Sequence, residues 1–248
     1  MSISDILVYA DPSPASGERL DFSVRLAHRF GAYLIGVVPE DAAAVGERFA
    51  TMLQQEALQG DWQMAIGLAA SYVARRAHAA DLVILGQRVP DHSTGLDAPE
   101  DVILACSGPV LVVPFAGRRL DRFGENVLVA WNGSREAGRA VQDALPLLAM
   151  SGAVTVLLVD PEEEADIELA EHLIAHLGRH GLHAKMQVIR HELATSSVAD
   201  TLLAQIARLD ADLLIMGAYG HSRMREMILG GVTRDILRNM NVPVLMAH

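Results

Sequence analysis

The residues best arranged for chemistry follow the apolar run DLLIMG (212–217). They are Gly217-Ala218-Tyr219-Gly220-His221, then Ser222 to Leu229, then Gly230-Gly231-Val232-Thr233, a G-x2-G-x9-G-G-x-T pattern. Glycine has no Cβ, so such a loop lets the backbone approach a ligand closely and reach φ > 0. The N–H groups of Gly231, Val232 and Thr233 would open a helix, where an anion is favoured by about 0.3–1 kcal/mol. A polyphosphate suits that arrangement. A glycine-rich turn between a strand and a helix explains the same spacing, because paired glycines are common in α/β loops. Spacing alone leaves both readings open.

Other groups of reactive residues carry less. His172, His176 and His180 fall at i, i+4 and i+8, a spacing that places imidazoles on one helix face. Leu173 stands where a zinc hydrolase's H-E-x-x-H needs glutamate, and the histidines flank an apolar stripe of Ile167, Ala170, Leu173, Ile174 and Leu177. They are read as partly exposed structural residues. Glu162, Glu163 and Glu164 open a helix whose dipole they complement, with a minor role near a nucleotide left open. Ser134 is a helix cap, since no G-x-S-x-G elbow surrounds it. Cys106 is a buried small hydrophobe, and no intramolecular disulfide or multi-cysteine zinc site is possible with one cysteine. Trp131 shields a pocket or simply packs; the sequence supports both. Lys185 is the single lysine and lies between Ala184 and Met186, so no phosphate loop of the G-x-x-x-x-G-K-[ST] type exists.

Short apolar runs alternating with helical patterns position these residues. NVLVAW (126–131) reads as a strand, followed by a helix over about 135–149 capped by Ser134. AVTVLLV (153–159), a helix over about 162–180 stopped by Gly181, and AKMQVIR (184–190) come next. A helix over about 197–208 leads to DLLIMG, and one over about 232–240 leads to PVLMA (243–247). Apolar strands separated by helices imply a parallel sheet covered on both faces.

The pattern occurs twice. ILVYADPS (6–13) aligns with VLVAWNGS (127–134), HAADLVILG (78–86) with LDADLLIMG (209–217), and GPVLVVP (108–114) with VPVLMAH (242–248). The chain of 248 residues therefore reads as a tandem α/β protein of two doubly wound, five-stranded parallel-sheet (Rossmann-like) domains, with an antiparallel edge strand allowed. The domains are assigned to 1–118 and 125–248, joined through the polar stretch at 115–125. Ligands in such sheets lie beyond the carboxyl ends of the strands, where the strand order reverses.

Composition restricts the partners. A net charge of −11 with no long basic run disfavours nucleic acid. The N-terminus lacks a basic segment followed by a long apolar one, and the longest apolar candidate, 144–159, is broken by Pro146, Ser151 and Gly152. No signal peptide or membrane span is expected, and a cytoplasmic location is the default. Apolar edge strands PVLVVP (109–114) and PVLMA (243–247) need covering, so pairing with each other within the chain and homodimerisation are expected.

The tandem units, the run VLVAWNGS after the linker, and GAYGHSRMREMILGGVT together resemble the universal stress protein family over essentially the whole chain. The resemblance implies ATP as cofactor, with Mg²⁺ as its companion. It implies that Asn132 takes the place of an acidic residue facing adenine and ribose, with Ala130 two residues before it on the same strand. Val159 corresponds to a position whose backbone contacts adenine. Gly217, Gly220, His221, Gly230, Gly231, Val232 and Thr233 correspond to the ribose- and phosphate-binding run. The chain departs from the family at Asn132, usually Asp, and at Gly231, usually Ser or Thr. One neutral hydrogen bond lost costs about 0.5–1.5 kcal/mol, which weakens binding without abolishing it.

In the first unit, Asp11 keeps the acid and Val37 corresponds to Val159, yet Val89 replaces the second glycine. Asp91, Asp97, Glu100 and Asp101 make the loop acidic. That site reads as degenerate, its unit serving as a built-in dimer partner. The expected function is an ATP-binding, nucleotide-dependent stress-response regulator. The alternatives are a weak ATPase or phosphotransfer enzyme, or an interaction scaffold that binds no nucleotide. Phosphoryl transfer needs a metal-holding acid, a water-positioning group and a cation. His221, Arg223, Arg225, Glu226 and Arg234 form no such ordered set, so no catalytic residue is assigned.

Overall fold

The computed structural model describes residues 2–88, 96, 99–115, 120–191, 196–220 and 231–248. The chain divides into two compact units, residues 1–117 and 118–248.

The first unit runs β1 (Asp5–Tyr9), α1 (Pro14–Phe30), β2 (Tyr33–Pro39), α2 (Ala43–Gln55), β3 (Gly60–Ala65), α3 (Ala69–Ala77), β4 (Leu82–Gly86), α4 (Pro99–Ala105) and β5 (Val110–Val113). Its strands lie in the order β3-β2-β1-β4-β5, all pairs parallel. The second unit runs β6 (Asn126–Ala130), α5 (Arg135–Leu148), β7 (Ala153–Val159), α6 (Glu164–Arg179), β8 (Ala184–Ile189), α7 (Val198–Arg208), β9 (Leu213–Gly217), α8 (Gly231–Asn239) and β10 (Val244–Ala247). Its order is β8-β7-β6-β9-β10, again parallel throughout. Each unit is doubly wound.

The strand sequences account for the layering. Ile6, Leu7 and Val8 in β1, like Leu213, Leu214 and Ile215 in β9, are fully buried on both faces, as a sheet covered by helices on each side requires. Both units anchor the entry to their first strand with a carboxylate placed just before the fourth. Asp81 accepts the Ser4 and Asp5 N–H groups at 2.7 and 3.0 Å. Asp212 accepts those of Gly124, Glu125 and Asn126. Burial pushes the Asp212 carboxyl above its ordinary range, against those three donors.

Strand order reverses between β1 and β4 in the first unit and between β6 and β9 in the second. The two helices that matter there are α1 and α5, which start directly after β1 and β6.

Candidate functional site

Register places the second unit's candidates at one edge. Ala130 pairs with Leu157 on one side and with Met216 on the other. Asn132 and Val159 lie two residues beyond that level, and Gly217 lies one beyond it. The structure therefore brings Ala130, Asn132, Val159 and Gly217 to the carboxyl ends of three adjacent strands. Ser134 caps α5 as its sequence position predicts, accepting the Ala137 N–H at 3.2 Å. Asn132 is committed to the same turn, its Oδ1 accepting the Ser134 N–H at 3.2 Å.

The glycines act through closeness. A Cβ at Gly217 would lie 2.5 Å from the Ala137 nitrogen and 2.9 Å from the Glu136 Cβ, so any side chain would push α5 away. A Cβ at Gly220 would lie 3.0 Å from Glu136 Oε2 and 3.4 Å from Ser134 Oγ. Neither glycine has a left-handed φ. That conformation falls instead on Tyr219 between them, at φ 54, which for a non-glycine residue stores of order 1–3 kcal/mol. The expectation that these glycines serve φ > 0 is thus replaced by a steric one.

Tyr219 also connects the two ends of the motif. Its N–H donates to Thr233 Oγ1 at 3.3 Å, joining the loop after β9 to the first turn of α8. Thr233 is buried, while Gly231 and Val232 are more open. Among the described residues, a Cβ at Gly231 would meet nothing within 4 Å. His221 and Gly230 lie outside the described residues, as do Val89, Asp91 and Asp97 of the first unit.

One polar group at this edge, Glu136, was not singled out by sequence reasoning, and a second, Trp131, was left with two readings. Glu136, in the first turn of α5, is 4% exposed, and its Oε1 is held by Arg135 Nη2 at 3.0 Å. Burial opposes its ionisation, but its own backbone N–H, Arg135 and His248 outweigh that and hold the carboxyl below its usual range. An acid in a first turn reads as a dipole partner, so its pattern gives no signal of a second role. Trp131 carries a buried indole N–H with no acceptor among the described residues. An unmet buried donor costs roughly 1–3 kcal/mol.

In the first unit, Asp11 does not face an open cleft. Arg19, one helical turn into α1, donates from Nη2 to Asp11 Oδ2 at 2.5 Å and from Nε to the Tyr9 carbonyl at 2.8 Å. A Cβ at Gly86 would collide with Arg19 Nη1, so the guanidinium lies over the end of β4. The signal was available: Arg19 interrupts the buried face formed by Ser16, Phe22, Ser23 and Leu26.

The remaining candidates resolve simply. His176 and His180 stack edge-on with ring centroids 4.7 Å apart, and His176 Nε2 lies 3.0 Å from Gln142 Nε2. Among the described residues no three His, Cys, Asp or Glu side chains are grouped to hold a metal. Asp166 accepts the Glu162 and Glu163 N–H groups at the start of α6, as an acidic helix opening should. Cys106 is buried, and burial pushes its thiol up to about 11. No helix of the described residues is long and apolar enough to cross a membrane.

A doubly wound α/β unit with its candidate residues gathered at the switch point has the architecture in which open α/β sheets take their ligands. Comparison with known proteins makes the class specific. The model of the universal stress protein family matches residues 124–248, and the chain belongs to that family. Universal stress protein Slr1230 from Synechocystis is 29% identical over 178 residues, covering 66% of this chain and 57% of that one. The chain thus aligns with little more than half the length of that relative. Among solved structures, a universal stress protein from Archaeoglobus fulgidus is 16% identical with a TM-score of 0.73, covering 98% of this chain and 97% of its own. A functionally unknown protein from Pseudomonas aeruginosa PAO1 is 18% identical with a TM-score of 0.69, covering 99% and 92%. These two likenesses concern the fold.

Proposed function

We propose that the 118–248 unit binds ATP and that the chain acts as a nucleotide-dependent regulator of a stress response. The observation that supports this reading is the Tyr219–Thr233 hydrogen bond, which ties the turn after β9 to the first turn of α8. Adenine would sit between Asn132 and Val159, with Trp131 beside it, whose buried indole N–H has no acceptor among the described residues. The phosphates would lie on the backbone of Gly231, Val232 and Thr233, where helix N–H groups favour an anion. The donor set fits the group, and Mg²⁺ would enter with the phosphates.

Mass spectrometry of small molecules released by denaturing freshly purified protein tests the reading. An adenine nucleotide approaching one per chain is expected. Protein that releases none, and retains none after incubation with ATP, overturns it. The same reading includes a homodimer, for which light scattering should give about twice the 26.7 kDa chain mass.

A further inference from the structure

We infer that Glu136 is a specificity-determining residue that accepts hydrogen bonds from the ribose hydroxyls and makes the site selective for ribonucleotides over deoxyribonucleotides. This rests on the nucleotide reading above and adds to it an orientation and a selectivity.

The geometry places a carboxylate directly against the glycine loop. Glu136 Oε2 is 3.0 Å from where a Cβ at Gly220 would be, and the Glu136 Cβ is 2.9 Å from the corresponding point at Gly217. Arg135, its side chain 79% exposed, approaches Oε1, leaving Oε2 on the Gly220 side. Asn132, just before α5, is neutral and already accepts from the Ser134 N–H. Among the described residues Glu136 is therefore an anionic acceptor beside Gly217 and Gly220.

Charge then decides which part of a nucleotide lies over it. The N-terminus of α5 already has its own anion in Glu136, so a phosphate placed there would meet like charge in a partly desolvated setting. Among the described residues, nothing lies within 4 Å of a Cβ at Gly231, and the first turn of α8 has no acidic residue. Phosphates belong there. The group above Glu136 must donate hydrogen bonds without carrying negative charge, and a sugar's vicinal hydroxyls do that. The carboxyl, held below its usual range, is ionised at neutral pH and ready to accept.

Titration calorimetry of the intact chain with ATP, 2′-deoxy-ATP and 3′-deoxy-ATP, each with and without Mg²⁺, tests the inference. At least one deoxy analogue should bind roughly ten- to a hundredfold more weakly than ATP, the worth of a hydrogen bond to a charged acceptor. In Glu136→Gln, which keeps the volume but offers only a neutral acceptor, that discrimination should fall several-fold below the wild-type value, to between a few-fold and about tenfold. Equal binding of all three by the wild type overturns the inference while leaving ATP binding intact. So does a Glu136→Gln protein that keeps the discrimination and changes only its Mg²⁺ dependence. No binding of any of the three overturns the nucleotide reading, and this inference with it. Should Glu136→Gln fail to fold, the wild-type comparison alone decides.

Discussion

Arg19 and Asp11 form an ion pair whose side chains are only 4% and 3% exposed, at the strand-end position where the first unit would otherwise hold a ligand. The same positions in the second unit have Asn132 and, eight residues on, Ala140, both of them uncharged. One unit fills its cleft with its own guanidinium; the other leaves a carboxylate under a glycine loop. The pair predicts non-additive mutational costs. Arg19→Met leaves a buried carboxylate without its partner and should cost about 3–5 kcal/mol. Adding Asp11→Asn should restore part of that stability, so the double variant is more stable than Arg19→Met alone. Urea unfolding of the three variants measures the coupling.

Two glycine substitutions should behave oppositely. Gly217→Ala puts a methyl 2.5 Å from the Ala137 backbone nitrogen, which cannot move without shifting α5. Overpacking of this kind costs about 1–3 kcal/mol, and loss of nucleotide binding should accompany it. The Cβ of Gly231→Ser meets nothing within 4 Å among the described residues. It should fold normally and tighten ATP by about 0.5–1.5 kcal/mol, a few-fold to tenfold, through the added hydroxyl. Thermal melts and calorimetry distinguish the two.

The edge beside Val159 carries a pH-dependent link. Asp160, with φ 47, accepts from the His191 N–H at 2.7 Å, and its Oδ2 lies 2.7 Å from His191 Nδ1. The His191 side-chain and backbone bonds hold the Asp160 carboxyl below its ordinary value of 3.8. A carboxylate whose folded pKa is depressed stabilises the fold above its unfolded pKa, and that contribution fades as pH falls through the lowered value. His191→Ala removes the side-chain bond, so Asp160 should titrate closer to 3.8 and acid unfolding should begin at higher pH. Carbon-detected NMR titration of the Asp160 carboxyl measures the first effect directly.

Much of this architecture was legible in the residues. Continuous apolar runs such as DLLIMG gave the buried strands, and Ser134 with Arg135 onward gave the start of α5, because burial and capping are local signals. The sheet order follows from parallel crossovers, which leave few alternatives. What the pattern did not disclose depends on distance across the sheet edge. Arg19 reaches Asp11 from eight residues away, and only packing shows that its guanidinium covers Gly86. Glu136 looks like an ordinary first-turn acid until β9 places Gly217 and Gly220 over it. The left-handed turn at Tyr219, rather than at a glycine, is likewise set by the tertiary bond to Thr233.

Calorimetric titration of the whole chain with ATP tests the central claim most directly, because the two units differ in the one feature that matters. The account predicts saturable binding at one ATP per chain, retained in an Arg19→Met, Asp11→Asn protein and lost in Gly217→Ala. Two sites per chain, or binding that survives intact in Gly217→Ala, would contradict it.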